Sequence, residues 1–267
     1  TPPNLIDIIQ KHKATVCFTA PTAYRVMLRA MEEGADLSSL RAAVSAGETL
    51  PAPVYEEWLA KTGKPMLDGI GSTELLHIFI TNRFGDSHAG VTGRPVTGYE
   101  AKVVDDHGQE VPRGTMGRLA VRGPTGCRYL SDERQKKYVE GGWNITGDTF
   151  IQDESGHFRF AARNDDMIIS AGYNIAGPEV EAALLRHPSV KECAVVGEPD
   201  AERGAIVCAH VVLSDADVPG EAMVRTLQEH VKATIAPYKY PRKVIFAKEL
   251  PKTATGKIQR FRLRDAT

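Results

Sequence analysis

The 267 residues include only four cysteines, Cys17, Cys127, Cys193 and Cys208, widely separated and without a CxxC pair. That spacing argues against a zinc knuckle or a thioredoxin-like redox pair and predicts reduced thiols in a cytoplasmic protein. No apolar run approaches the ~20 residues needed to span a bilayer. Neither sign of charge is in excess, since 33 Lys and Arg stand against 34 Asp and Glu for a net charge of −1. No overall field therefore points to nucleic acid or an anionic membrane. An initiator Met and a signal-peptide pattern are both missing from the opening Thr1-Pro2-Pro3, which reads as a processed or cut chain. What is present, 42% hydrophobic and 25% charged residues, is the composition of a globular protein of one or two domains.

Residues 3–60 alternate helix and strand. Pro3 suits a first helical position ahead of Leu5, Ile8 and Ile9. Thr15 to Thr19 reads as a buried strand, Thr22 to Glu33 as a helix stopped by Gly34, and Ala42 to Ala46 as a second strand. A helix then runs through Trp58, and Pro65 to Asp68 forms a third strand. The alternation predicts a parallel sheet with ligand sites at the carboxyl ends of its strands. Over 86–163 short strands (about 100–104, 117–122, 149–152 and 157–160) between Gly, Pro and Asp turns predict a small antiparallel β-subdomain. From residue 165 an α+β module follows, with helices over 177–187 and 220–235 and strands over 191–197, 205–213 and 243–247. Arg163-Asn164-Asp165-Asp166 reads as the joint, giving domains 1–164 and 165–267.

Three segments have the composition of chemistry. Asp68-Gly69-Ile70-Gly71-Ser72-Thr73-Glu74 brings glycines, hydroxyls and a carboxylate after a strand, suited to phosphate and Mg²⁺; alone it reads more readily as an ordinary strand-to-helix turn. In Gly142-Trp143-Asn144-Ile145-Thr146-Gly147-Asp148 a carboxylate held between a Gly turn and a strand suits a ribose diol, or satisfies its own turn. Lys252-Thr253-Ala254-Thr255-Gly256-Lys257 projects a lysine from a small hydroxyl-rich turn. It lies in a tail, Lys232 to Arg264, with ten basic residues and the single acid Glu249. Such a run points to a polyanionic ligand or to a solvated face; for nucleic acid it lacks interleaved aromatics.

Taken in order, five segments resemble the adenylate-forming superfamily of acyl-CoA synthetases, luciferases and peptide-synthetase adenylation domains. They are Ser45-Ala46-Gly47-Glu48, Gly69 to Glu74, Gly142 to Asp148, Arg163 to Asp166 with Ser170-Ala171-Gly172-Tyr173-Asn174, and Pro251 to Lys257. Leu76-His77-Ile78-Phe79, Gly123-Pro124-Thr125-Gly126-Cys127 and Tyr173-Asn174-Ile175 are similar to the benzoate- and 2-aminobenzoate-CoA ligase branch. The segment Ala236 to Lys243 also resembles medium-chain acyl-CoA synthetases.

The resemblance implies a carboxylate activated by ATP to an acyl-adenylate and then passed to coenzyme A, with Mg²⁺ required. It implies that Gly47, Glu48, Asp68, Gly69 and Ile70 border adenine and that Gly71 and Ser72 complete the nucleotide loop. Thr73 would bond the α-phosphate, Glu74 would hold Mg²⁺, and Asp148 would take the ribose hydroxyls with Arg163 assisting. Lys257 would bridge the carboxylate and ATP oxygens, a fixed charge facing developing charge. Asp165 maps to a hinge of a mobile C-terminal domain, and Gly172 and Tyr173 to the coenzyme A channel. Ala20, Tyr24, Gly71, His77 and Ile78 would line a flat apolar pocket for an aromatic acid.

The family's upstream Ser/Thr/Gly phosphate loop ending in Lys is not found. The expectation is therefore a C-terminal fragment, inactive alone, lacking its N-terminal half, with exposed apolar side chains along 1–60. Competing readings are a medium- or short-chain fatty acyl-CoA synthetase, a non-catalytic nucleotide- or CoA-binding fragment, and a nucleic-acid module. The sequence leaves a homo-oligomer open.

Overall fold

A computed structural model of the chain describes residues 4–31, 34–126, 128–253 and 256–264. Pro3, Glu33, Cys127, Ala254 and Thr255, each part of a reading above, lie outside them. The chain divides into two compact units, with the boundary between Phe160 and Ala161, just before the expected joint. Among the described residues no helix is long and apolar enough to cross a membrane.

The first unit begins α1 (Leu5–His12), β1 (Val16–Thr19), α2 (Pro21–Ala30), β2 (Ala42–Ala46), α3 (Ala52–Thr62) and β3 (Met66–Gly71). Proline at the first turn starts both α2 and α3, where a missing N–H costs nothing. The strands β1, β2 and β3 are parallel neighbours, with Cys17 opposite Ala43, Ala43 opposite Met66, and Thr19, Ser45 and Asp68 in one row. Under them the helices bury Tyr24, Met27, Leu28, Val54 and Trp58. Tyr24 meets Trp58 edge to face, 5.0 Å between centroids, a pairing worth about 0.5–1.5 kcal/mol beyond burial. Along 1–60, Ile8, Val16, Phe18 and Leu59 are exposed; β1, at the end of the sheet order, is thus half-exposed and not the buried strand expected of Thr15 to Thr19.

The sheet is mixed rather than wholly parallel. After β3 the chain turns back within six residues into β4 (Ile78–Thr81), and β5 (Arg94–Pro95) follows; both pairings are antiparallel. So short a return cannot make a parallel crossover. It needs glycine at 71, where a Cβ would lie 2.5 Å from the His77 carbonyl oxygen.

A second sheet contains β6 (Glu100–Val104), β7 (Met116–Arg122), β9 (Trp143–Gln152) and β10 (Phe158–Arg163), in the order β10-β9-β7-β6. Between β7 and β9 come α4 (Arg134–Tyr138) and the short β8 (Val139–Glu140), which pairs with β9. Trp143 to Asp148 is thus the first half of a ten-residue strand, not a turn ahead of one at 149–152. What resembles a turn is a bulge. Arg118 pairs with Thr149 but Ala120 with Ile145, and Gly147, at φ +78°, takes up the surplus, as bulges that re-aim a side chain do. Leu75, Phe79 and Ile80 share a core with Val103, Leu119, Phe150 and Phe158.

The second unit starts with a hairpin of β11 (Ile168–Ser170) and β12 (Tyr173–Ile175), turned by Ala171 and Gly172, both at positive φ, the primed geometry that matches strand twist. Then come α5 (Gly177–Leu184), β13 (Val190–Asp200), β14 (Gly204–Leu213), α6 (Glu221–Thr234), β15 (Lys243–Phe246) and α7 (Arg260–Arg264). β13 and β14 form an antiparallel hairpin, and β15 joins β14 in parallel. Val180, Leu184, Leu227 and Val231 cover one face, while Leu250 and Leu263 sit over Ala194 and Cys208.

The basic tail is not an open polyanion surface. Within this unit Lys232 pairs with Glu229, Lys239 with Glu179, Lys243 with Glu198, Lys252 with Glu192, Arg260 with Glu181 and Arg264 with Asp166. The linear count overstated the field because the neutralising acids come from earlier in the chain.

Candidate active site

The row Thr19, Ser45 and Asp68 places three strand ends side by side. From them issue Ala20, Gly47-Glu48 and the loop Gly71 to His77. Ala20 is the residue before α2 and offers no side-chain cap. Glu48 caps instead, its Oε2 accepting from Thr22 Oγ1 at 2.6 Å and from the Thr22 amide at 3.3 Å. A carboxylate at a helix N-terminus is favoured by the orphan amides and the dipole, so β2 and α2 are tied together at the rim.

The loop is pinned from below. Leu75 is fully buried, and its carbonyl oxygen accepts from Thr125 Oγ1 at 2.8 Å and from Tyr99 at 3.3 Å. Within the loop the Leu75 and Leu76 amides bond back to Ser72 and Thr73 oxygens. Glu74, half-buried, accepts at Oε1 from the Tyr129 hydroxyl at 2.6 Å. Thr73 and Gly71 are exposed and Ser72 is half-buried. Magnesium is bound through one or two carboxylates plus substrate phosphates. A carboxylate steadied by a tyrosine, with two hydroxyls on the same loop, is a donor set of that kind.

Two expected contacts are corrected. Tyr24 is no pocket wall: it is fully buried, and its hydroxyl donates to the carbonyls of Cys17 at 2.8 Å and Val44 at 3.0 Å. Asp68 offers no exposed carboxylate there either. Its carboxyl is buried, its Oδ1 has no hydrogen bond, and its carbonyl oxygen accepts from Thr81 Oγ1 and the Asn82 amide. Burial raises its pKa to about 8, against the lowering effects of the Ser45 hydroxyl and the Gly69 amide. Ile70 likewise packs into the core of the second sheet. Ile78 lies over Gly69, where a Cβ would stand 3.0 Å from its Cγ2. The exposed His77 ring lies 6.0 Å from that of Phe18. Asp148 sits in β9 beside the Gly147 bulge, its amide donating to Thr146 Oγ1 at 3.3 Å.

The remaining predicted residues belong to the second unit. Arg163 and Asp165 are exposed and 3.7 Å apart, while Asp166 is held by Arg264. Gly172 and Tyr173 form the exposed tip of the hairpin, and the Tyr173 ring lies against Tyr238 at 4.6 Å. The base of the Lys257 loop is fixed by the Lys252–Ile258 bridge, by Lys252 on Glu192, and by Thr253, whose amide donates to the Lys257 carbonyl at 2.8 Å. The Lys257 side chain is exposed and pairs with no carboxylate among the described residues.

Sequence reasoning missed Tyr99 and Tyr129, and it quoted Thr125 within a family-like segment without giving it a role. Tyr99, Thr125 and Tyr129 bond to the loop across 24, 50 and 55 positions, and no local spacing announces them.

Comparisons agree with this geometry. The profile of the AMP-binding enzyme family matches residues 1–129, and that of the AMP-binding enzyme C-terminal domain matches 179–257. A benzoate–CoA ligase of Thauera aromatica is 41% identical over the whole of this chain and 51% of its own length. The mitochondrial acyl-coenzyme A synthetase ACSM3 of Mus musculus is 39% identical over 98% of this chain and 47% of its own. A crystal structure of the anthranilate CoA ligase AuaEII with anthranoyl-AMP superposes with a TM-score of 0.92 at 43% identity, covering all of this chain and 52% of that one. The chain thus spans about half the length of the curated relatives it matches. Strand-end loops, C-terminal module and both profiles coincide in order, and the chain belongs to the AMP-binding enzymes.

Proposed function

We propose that an enzyme of the relatives' length containing this chain is an AMP-forming acid–thiol ligase acting on an aromatic carboxylate such as benzoate or 2-aminobenzoate. The observation that carries the reading is the pinned Gly71–His77 loop, with Glu74 steadied by Tyr129. It presents oxygen donors beside the ends of three parallel strands. In the first step a carboxylate oxygen attacks the α-phosphorus of ATP, and the bond to the leaving pyrophosphate breaks. In the second, the thiol sulfur of coenzyme A bonds to the acyl carbon, AMP leaves and the thiol proton goes to solvent.

Bound magnesium would neutralise phosphate charge. Glu74 holds the cation, Thr73 donates to the α-phosphate, Asp148 accepts from the ribose hydroxyls with Arg163 assisting, and Lys257 stabilises the charge that develops in adenylation. Glu48 contributes by fixing the rim. Asp165 is the pivot, and Gly172 and Tyr173 meet the pantetheine arm. Gly71, His77 and Ile78, with Phe18 beside His77, give the flat apolar setting an aromatic ring requires. The 41% and 43% identities to benzoate- and anthranilate-directed ligases support that substrate class.

A second reading, a medium-chain fatty acid, draws on the resemblance of Ala236 to Lys243 to medium-chain acyl-CoA synthetases, beside the 39% identity to a mitochondrial acyl-coenzyme A synthetase. ATP–pyrophosphate exchange with benzoate, 2-aminobenzoate and octanoate separates the two. Preferred turnover of an aromatic acid is expected, and preferred turnover of octanoate overturns the aromatic assignment.

A further inference from the structure

We propose that Asp86, His88 and His157 form a binding site for a divalent transition-metal ion of the zinc type, which staples the segment after β4 to the start of β10. All three belong to the first unit, away from the strand-end loops. One ligand atom from each lies within 4.8 Å of the others. Asp86 Oδ1 is 3.2 Å from His88 Nε2 and 2.9 Å from His157 Nε2. An ion with bonds of about 2.0–2.1 Å holds neighbouring tetrahedral ligands roughly 3.3–3.4 Å apart, and the two Asp86 contacts lie close to that spacing. The two imidazoles stand edge to face, 5.3 Å between centroids, and converge on the same oxygen.

The hydrogen-bond chain behind His157 is the second argument. Ser155 Oγ donates to Asp153 Oδ1 at 2.6 Å. Its proton is therefore committed, and the 2.7 Å contact with His157 Nδ1 requires the ring to donate there. In the neutral ring this leaves a lone pair on Nε2, aimed at a carboxylate oxygen 2.9 Å away. What stands between the two is either a proton on Nε2 or a metal ion in its place. A metal ion satisfies both, and a ligating histidine whose other nitrogen donates to an outer partner is the usual arrangement.

The remaining contacts of Asp86 fit this role. Its Oδ2 accepts from Arg94 Nε at 2.9 Å, and Arg94 also donates to the Ser155 carbonyl at 2.6 Å. Arg94 thus fixes the carboxylate while leaving Oδ1 to the ion. Its charge weakens binding, and Asp153, 4.0 Å from His157 Nδ1, counters it. The His88 side chain is 58% exposed, which gives a route in and room for water ligands, whereas His157 is buried. Two imidazoles and one carboxylate favour zinc, cobalt or nickel over magnesium or calcium. The Thr92 amide already donates to the Phe158 carbonyl and the Phe158 amide to Gly93, so an ion here would reinforce an existing seam.

The test titrates the metal-free, tag-free chain with Zn²⁺ and Co²⁺. One equivalent should bind, Co²⁺ should develop visible absorption of a four- or five-coordinate site, Zn²⁺ should displace it, and the unfolding temperature should rise. His88→Ala, at an exposed position, should weaken Zn²⁺ at least about tenfold, the loss that outer partners alone can cause, and should abolish the cobalt bands. Asp86→Asn reads the same site should His88→Ala fold poorly. Absence of stoichiometric uptake, which would leave a proton in place of the metal, overturns the proposal. So does unchanged affinity in both variants, which would put the ion elsewhere, for instance at the His187–His230 pair.

Discussion

The loops that carry Glu74 and Lys257 have similar compositions and opposite mechanical character. The first is hung on a fully buried leucine whose carbonyl takes two side-chain hydroxyls, and its carboxylate is bonded in turn. In the second, the described side-chain anchor is at its base, Lys252 on Glu192 beside the bridge to Ile258, and the Lys257 side chain is exposed. The contrast separates two ways of presenting charge. A group that must receive a hydrated cation and phosphates gains from being held still, since preorganised donors need no reorganisation. A group that serves one half-reaction and not the other gains from having no partner to leave.

Breaking the first loop should have the largest effect. Leu75→Ala empties a fully buried site and should destabilise the first unit by about 2–5 kcal/mol. Both tryptophans, Trp58 and Trp143, lie in that unit, so the midpoint of urea unfolding followed by tryptophan fluorescence reads it directly. A midpoint unchanged from the parent would mean that the leucine does not anchor the loop.

Lys257→Ala should do the converse. Formation of the acyl-adenylate should fall about 10²–10³-fold, the scale for loss of one electrostatic donor, while thioester formation from supplied acyl-adenylate and the unfolding midpoint stay at parental values. Equal loss in the two half-reactions would contradict the division of labour. These rates are to be measured on an enzyme of the relatives' length that contains this sequence.

The same contrast explains what was legible in the sequence. Helix–strand alternation over 3–60 and the periodicity of 220–235 follow from burial of one face, and the elements stand there with ends displaced by a few residues. The segments Gly69 to Glu74 and Pro251 to Lys257 were readable because glycine and hydroxyl composition is local. What holds them was not: Tyr129 reaches Glu74 across 55 positions, and no pattern records a side-chain contact of that range. The resemblance put Tyr24 in the pocket lining, yet here the tyrosine is buried and uses its hydroxyl on two carbonyls. The bulge at Gly147 hid a strand, because a positive-φ glycine is as compatible with a turn as with a bulge. The Asp86, His88 and His157 cluster joins residues about 70 apart and is visible only once β4 and β10 are folded.

Asp68 tests how rigid the base of the first loop is. Its pKa is raised from 3.8 to about 8 by burial, so the folded state keeps a proton that the unfolded chain releases. Below the ordinary carboxylate range both states are protonated and there is no effect. As pH rises towards 8 the unfolded state loses its proton first, and stability falls. Asp68→Asn should remove this slope, leaving stability near pH 4 unchanged and raising it at pH 8.5 by up to a few kcal/mol. Parallel pH profiles for the two proteins would show that Asp68 is solvated in solution.

The smallest effect sharpens the comparison most, because it removes one hydroxyl and keeps the ring. Tyr129→Phe removes the hydroxyl that donates to Glu74 Oε1 at 2.6 Å and keeps the ring, which meets Tyr138 edge to face at 5.8 Å. Because the pair is only partly buried, the stability cost should stay within about 1 kcal/mol, the net value of an ordinary hydrogen bond. Glu74, however, loses the contact that selects one orientation of its carboxylate. Loss of such outer partners weakens metal binding about 10–100-fold at preformed sites, and a cation shared with substrate phosphates should fall at the low end. The magnesium concentration for half-maximal adenylation should therefore rise about tenfold, with the saturated rate little changed, whereas Lys257→Ala lowers the saturated rate and leaves the magnesium dependence alone. If Tyr129→Phe instead reduced the saturated rate at every magnesium concentration, Glu74 would be acting on the reacting phosphate rather than holding the cation, and the two loops would differ less than their geometry indicates.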